Sequence, residues 1–248
     1  MEQIEDNHVP GAKWEFNEDV AKCFDSMLTR SIPGYEQMRD LVFRLGSQFL
    51  RMNSTVVDIG ASRGEASSKF IDTYKGSYFH LMEISDAMLK ELNARYHDNN
   101  RVYISKYDLR KRSGEITQYL LEQAYPRHSQ IDLVLGILTL IFVPINHRPS
   151  IIQGIHDALA PGGAFLMVEK VMGNSATTQE LLVDAYHKYK HDHGYAWEDI
   201  ERKRAALEGV QVPVSYDTNV DMLKAAGFKV VECFWRHLNF CGYIAIKG

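Results

Sequence analysis

Only three cysteines occur in the 248 residues, Cys23, Cys233 and Cys241, with no paired spacing and no histidine cluster beside them. That distribution supports neither a disulfide framework nor a zinc site, and it suits a reducing, cytoplasmic compartment. A basic excess is missing too. The formal net charge of −4 argues against a strong nonspecific grip on nucleic acid or on an acidic membrane. No apolar run approaches the roughly 20 residues of a membrane helix. The polar, acidic residues 1–16 lack the apolar h-region of a signal peptide. Internal repeats and low-complexity tracts are also missing. What is present is an ordinary globular composition, 45% hydrophobic and 24% charged, in a chain long enough for one large domain with a complete core. The balance points to a small-molecule substrate, with no direct nucleic-acid partner, no membrane and no metal.

Two amphipathic helices are predicted first, over 18–30 and 35–51, separated by Ser31-Ile32-Pro33-Gly34. They form a helical cap over residues 14–51. From Ser54 the pattern becomes strand, turn and helix, repeated. Strands are predicted at 55–59, 78–83, 102–105, 131–135 and 164–168, with helices at 65–74, from Asp86, and around 115–124. Such alternation gives a parallel sheet covered by helices on both faces. Residues 176–210 read as one long polar helical stretch and 218–226 as a short helix, within a helical insertion spanning 172–227 of a single domain, 1–248. Residues 229–235 and 240–247 lie only a few residues apart, which permits an antiparallel hairpin but no crossover. The expected fold is therefore α/β and Rossmann-like: a mostly parallel seven-stranded sheet closed by an antiparallel C-terminal hairpin strand, as in class I methyltransferases.

The segment Asp58-Ile59-Gly60-Ala61-Ser62-Arg63-Gly64 stands where the first strand passes into its helix. Gly60 allows a tight turn and close approach of a ligand to the backbone, and Gly64 allows close packing as the helix starts. Ligands of open α/β sheets bind at the carboxyl ends of strands. The two glycines stand four apart, which is not the dinucleotide fingerprint. Glu83 closes the second strand, where a carboxylate can accept hydrogen bonds from ribose hydroxyls, and Ile84 follows it. Asp108, followed by Leu109, stands just after the third strand and is placed to meet an adenine amino group; a helix N-cap is the bland alternative. Asp58 faces the methionine end of S-adenosylmethionine.

The segment Arg30-Ser31-Ile32-Pro33-Gly34-Tyr35 resembles the R-S-V/I-P-G-Y signature of the carboxy-S-adenosyl-L-methionine synthase family. The resemblance runs through nearly the whole chain. Residues 14–21 match the family's W-x-F-D-E-x-V-A opening, and Ala160-Pro161-Gly162-Gly163-Ala164 its turn before the fifth strand. Gly194-Tyr195, Lys203-Arg204, Leu207-Glu208, Ala226-Gly227-Phe228 and Asn239-Phe240 recur in the family's order. Membership implies conversion of S-adenosylmethionine and prephenate to carboxy-S-adenosylmethionine and phenylpyruvate, through a sulfonium ylide that captures carbon dioxide. The product is a carboxymethyl donor for wobble-uridine modification of transfer RNA. Membership also implies a homodimer, built in part by the 176–210 stretch. Arg204 takes the family's carboxylate-binding arginine position and Tyr35 the tyrosine position beside the ligand, both with catalytic roles.

Departures from the family pattern keep other readings open. The family's asparagine after the fourth strand corresponds to Gly136, and its loop D-L-G-C-S-x-G-A carries Ala61, Arg63 and Glu65 here. A conventional methyltransferase acting on a small carboxylic acid is one alternative, and a noncatalytic S-adenosyl-ligand binding partner is another. His187, His191 and His193 read as solvated surface, as does the 201–204 charge run without the resemblance.

Overall fold

A computed structural model describes residues 13–123 and 130–248. The leader reading of residues 1–12 and the last residue of the 115–124 helix lie outside the described residues. Helix α1, Glu18–Ser31, starts where the Asn17 side chain accepts the Val20 N–H at 3.0 Å, satisfying one of the orphan donors of a first turn. It ends at Ile32. Gly34, at φ +69°, opens α2, Tyr35–Gly46, which stops short of the predicted residue 51 and continues as a 3₁₀ turn over Ser47–Phe49.

The alternating segment then forms β1 (Thr55–Ile59), α3 (Glu65–Thr73), β2 (Tyr78–Glu83), α4 (Asp86–Tyr96), β3 (Val102–Lys106), α5 (Ile116–Gln123), β4 (Ile131–Ile137), α6 (Arg148–Ala158) and β5 (Leu159–Met172). All five residues of β1 are buried, as an apolar run in a sheet covered on both faces must be. After β5 come α7 (Ala176–Asp192), α8 (Trp197–Leu207), β6 (Val214–Ser215), α9 (Tyr216–Ala225), β7 (Val230–His237) and β8 (Phe240–Ile246).

The main sheet runs β3-β2-β1-β4-β5-β8-β7. Strands β1 to β5 pair in parallel, and β8 is antiparallel to both β5 and β7, so the predicted hairpin closes the sheet. Further features depart from expectation, among them β5, which starts at Leu159 and so takes in the predicted 161–163 turn. The 176–210 stretch is two helices, because Gly194 adopts φ +93° and the next residue, Tyr195, is buried at 3% exposure. The 172–227 stretch also contains the short β6, paired in parallel with Val171 and Met172. One face of the sheet buries a cluster with α5, α6 and α9, and the other a cluster with α2, α3 and α4. A third cluster, Trp14, Val20, Phe24, Met27, Met88 and Ala206, seats the N-terminal cap on α4 and α8. No helix among the described residues is long and apolar enough to cross a membrane.

Candidate functional site

The carboxyl ends of β1, β2, β4 and β5 open into a cleft of about 1510 Å³, walled on the outer side by α1, α2, α7 and α8. Drug-sized ligands occupy pockets of roughly 300–1,000 Å³, so this cleft has room for a nucleoside ligand and a second small molecule together.

The glycine loop is built by its own strand ends. Gly60 takes φ +69°, and a Cβ there would meet Thr139 Oγ1 at 2.6 Å, so glycine is required by the approach of the β4–α6 loop. Thr139 in turn donates to the Ile59 carbonyl at 2.8 Å. Ser62 also adopts a left-handed backbone, φ +50°. Gly64, φ +86°, brings the start of α3 against Leu92 and Tyr96 of α4. It serves packing and does not line the cleft.

Glu83, 7% exposed, accepts three backbone N–H groups, from Ser62 at 2.8 Å, Ile84 at 2.7 Å and Ser85 at 2.8 Å. A carboxylate offers about four lone-pair sites, so one stays available to a hydroxyl. Its role is thus double: it fixes the glycine loop and presents an acceptor. Asp108 is held by the Arg110 side chain at 3.0 and 3.2 Å and by the Arg110 N–H at 2.9 Å, an Asx-turn rather than a helix cap. Ile84, Leu109 and Ala61 line the same part of the cleft.

Asp58 lies beneath the loop, 1% exposed, with Ser67 Oγ donating to its carboxylate. Desolvation raises its pKa to about 7 against the opposing pull of Ser67 and Arg39, with Glu65 and Glu83 adding to the rise. Glu65, largely withdrawn from solvent, is also shifted upward by burial. Tyr35 is buried and accepts a hydrogen bond from Arg39 Nη1 at 2.9 Å. Burial pushes its pKa up to about 12, with Arg39 pulling the other way, so the phenol keeps a proton to donate at neutral pH.

Two predicted residues stand differently. A Cβ on Gly136 would meet Phe165 Cε2 at 2.9 Å and Ile59 Cδ1 at 3.4 Å. The position faces the core, not the ligand, because strand residues alternate; Ile137, the next residue, lines the cleft. Arg204 reaches the cleft, but its side chain is 57% exposed and its Nε donates to Glu201 Oε2 at 2.9 Å. Its neighbour Lys203 is buried at 4% exposure. The charge run is therefore split between the interior and the rim.

Sequence reasoning passes over much of the β5 end of the cleft: Lys170, near the end of β5, and Tyr186 and Lys190 of α7. His187 also lines the cleft; it is half-buried, and its pKa is lowered first by burial. A signal for Lys170 does exist, since it is a charged residue toward the carboxyl end of a buried strand, where ligands bind. Three of the resembling segments, at Arg30-Ser31, Tyr195 and Lys203, meet in space. Around the Tyr195 ring stand Arg30 at 4.5 Å, Lys203 at 4.4 Å and Lys190 at 5.5 Å, and its hydroxyl pairs with Ser31 Oγ at 3.0 Å.

A family profile described as "Methyltransferase domain" matches residues 57–165. The carboxy-S-adenosyl-L-methionine synthase of Methylococcus capsulatus is 32% identical over 94% of this chain and 93% of its own length. The synthase of Nitratiruptor sp. is 34% identical over 95% and 93%. Among solved structures, an O-methyltransferase family protein from Burkholderia thailandensis superposes with a TM-score of 0.62 at 16% identity, covering 94% of this chain and 61% of that one; that likeness speaks to the fold alone. With two relatives above 30% identity over nearly the full length, the chain belongs to the carboxy-S-adenosyl-L-methionine synthase family.

Proposed function

We propose that this enzyme converts S-adenosylmethionine and prephenate into carboxy-S-adenosylmethionine and phenylpyruvate, a carboxymethyl donor being the useful product. The observation that carries the reading is the polarity of the cleft. The carboxylates Asp58, Glu65, Glu83 and Asp108 stand at the ends of β1 to β3, with Arg39 and Arg110 beside them, whereas Lys170, Lys190, Lys203 and Arg204 stand toward the end of β5 and on α7 and α8, with Glu208. A cationic sulfonium nucleoside suits the first end and an anionic carboxyl donor the second. In this reading Glu83 takes the ribose diol, Asp108 the adenine amino group, and Asp58 the methionine ammonium. Tyr35 donates to a carboxylate near the sulfonium, and Arg204 meets the new carboxylate at the rim.

The bound sulfonium supplies an acidified methyl group. The donor's ring carboxyl departs as carbon dioxide while the ring aromatises and its hydroxyl leaves. One methyl proton is lost, and the methyl carbon bonds to the released carbon. That proton and the departing hydroxyl make one water, so the exchange balances without a redox partner. The chain's part is to bind and orient, and to keep water out with the aromatic wall of Trp14, Phe16, Phe24 and Phe142. Exposed Leu181 and Trp197 on α7 and α8 support a homodimer through those helices.

The test is incubation with both substrates and mass spectrometry of the nucleoside, with phenylpyruvate assayed in parallel. A nucleoside one carboxyl group heavier, formed in step with phenylpyruvate, is expected. A methylated acid with S-adenosylhomocysteine would overturn the reading, and so would recovery of both substrates unchanged. Because Arg204 is exposed, Arg204→Met is expected to weaken the preference for the carboxylated ligand by only about 2- to 5-fold, the range of a solvent-screened ion pair.

A further inference from the structure

We infer that Lys170 and Lys190, standing against the shared Tyr186 ring, form the seat for a carboxylate of the anionic donor, and so determine specificity for that substrate and not for the nucleoside. This rests on the synthase reading above. Lys170 Nζ lies 4.6 Å from the centre of the Tyr186 ring and Lys190 Nζ 5.2 Å from it. All three residues line the cleft. Tyr186 is itself buried and packed edge-on against Phe240, ring centres 5.5 Å apart, so the ring is a fixed platform.

A ring face attracts an ammonium group without neutralising it, and among the described residues no carboxylate pairs with Lys170. Burial lowers the Lys170 pKa to about 8, which marks a charge held in poor solvent. An incoming carboxylate relieves that state. A cation held as Lys170 is costs stability unless a counter-charge arrives, and for Lys170 it is the ligand that brings it. The nucleoside is the poorer occupant: its one α-carboxylate is accompanied by sulfonium and ammonium cations, which two lysines repel and which the carboxylates at the opposite end attract. Glu169, the residue before Lys170, points to the other face of the sheet and is bonded by Leu140 N–H at 2.9 Å, so it leaves the lysine's charge uncompensated.

The experiment measures steady-state kinetics and direct binding on the full-length protein. Lys170→Met keeps the apolar stem and removes the charge; it is expected to raise KM for prephenate by roughly 10- to 100-fold while leaving KM for S-adenosylmethionine within about twofold. Lys170→Arg is expected to recover most of the loss, which a merely structural role does not predict. Lys190→Met is the second variant, should the first fold poorly by circular dichroism. Calorimetric titration of prephenate into protein loaded with S-adenosylhomocysteine reads the seat without turnover. If the wild type consumes prephenate and both methionine variants keep its KM, the seat is overturned and the synthase reading stands. If the wild type binds prephenate without consuming it and Lys170→Met abolishes binding, the seat stands and the reading falls. If the wild type neither binds nor consumes prephenate, both fall.

Discussion

Asp58 is a carboxylate fully withdrawn from water, and its proton has a thermodynamic signature. Its native pKa of about 7 lies above the ordinary 3.8, so between those values the folded chain holds a proton that the unfolded chain releases. Stability from this group is fully present below about pH 4 and is lost as pH rises through about 7. Unfolding by urea without ligand should therefore show stability falling from pH 5 to pH 8. Buried Glu169, raised by desolvation to about 8, titrates in the same window, so Asp58→Asn should reduce that fall without abolishing it and exceed wild type at pH 8 by roughly 2–4 kcal/mol, since each tenfold change in proton affinity is worth about 1.36 kcal/mol. An unchanged slope in the variant would assign the proton elsewhere. For Glu83, removal of a charged acceptor predicts that Glu83→Ala weakens S-adenosylmethionine binding by roughly 1.5–3 kcal/mol; calorimetry giving equal affinity in a folded variant would remove its ribose role. Both residues are legible in the sequence because each stands at the end of a buried strand. What is not legible is that Glu83 also ties down three amides, since those donors belong to a loop whose path the sequence does not specify.

At the scale of elements, β4 and β5 carry the clearest lesson. Both are predictable as strands from their apolar runs, yet which residue faces the ligand depends on a register that a run of Leu, Val and Ile does not reveal. The family pattern sets its asparagine against Gly136, and the pleat turns that position toward Phe165. Gly136→Asn should therefore overpack the core and destabilise by about 1–3 kcal/mol, whereas Ile137→Asn should put an amide on the cleft wall at a smaller loss. Urea denaturation of the two variants, with S-adenosylmethionine titrated into each, tests the register; equal destabilisation would refute it. The break between α7 and α8 is hidden because the 176–207 stretch is polar with weak periodicity, and only Gly194 and the buried Tyr195 mark it. The two residues of β6 are too short to leave any pattern.

For the molecule as a whole, the sheet order is readable because strand–helix alternation and a short final connector leave few topologies. The cationic end of the cleft is not, because Lys170, Lys190 and Lys203 come from three separate elements that only the fold brings together. The proposed homodimer predicts that sedimentation at micromolar concentration gives twice the chain mass, and that Leu181→Glu with Trp197→Glu yields the monomer; a fully active wild-type monomer would refute it. The Tyr195 ring has a mechanical consequence. It is gripped by the end of α1 through Arg30 and Ser31, by α7 through Lys190 and by α8 through Lys203. The outer wall is thus latched at one point, and prising away any of these helices strains the same aromatic hub. Amide protons of 18–31 and 176–207 should then exchange as one cooperative foldon in the wild type. In Tyr195→Ala they should separate into independently fraying segments.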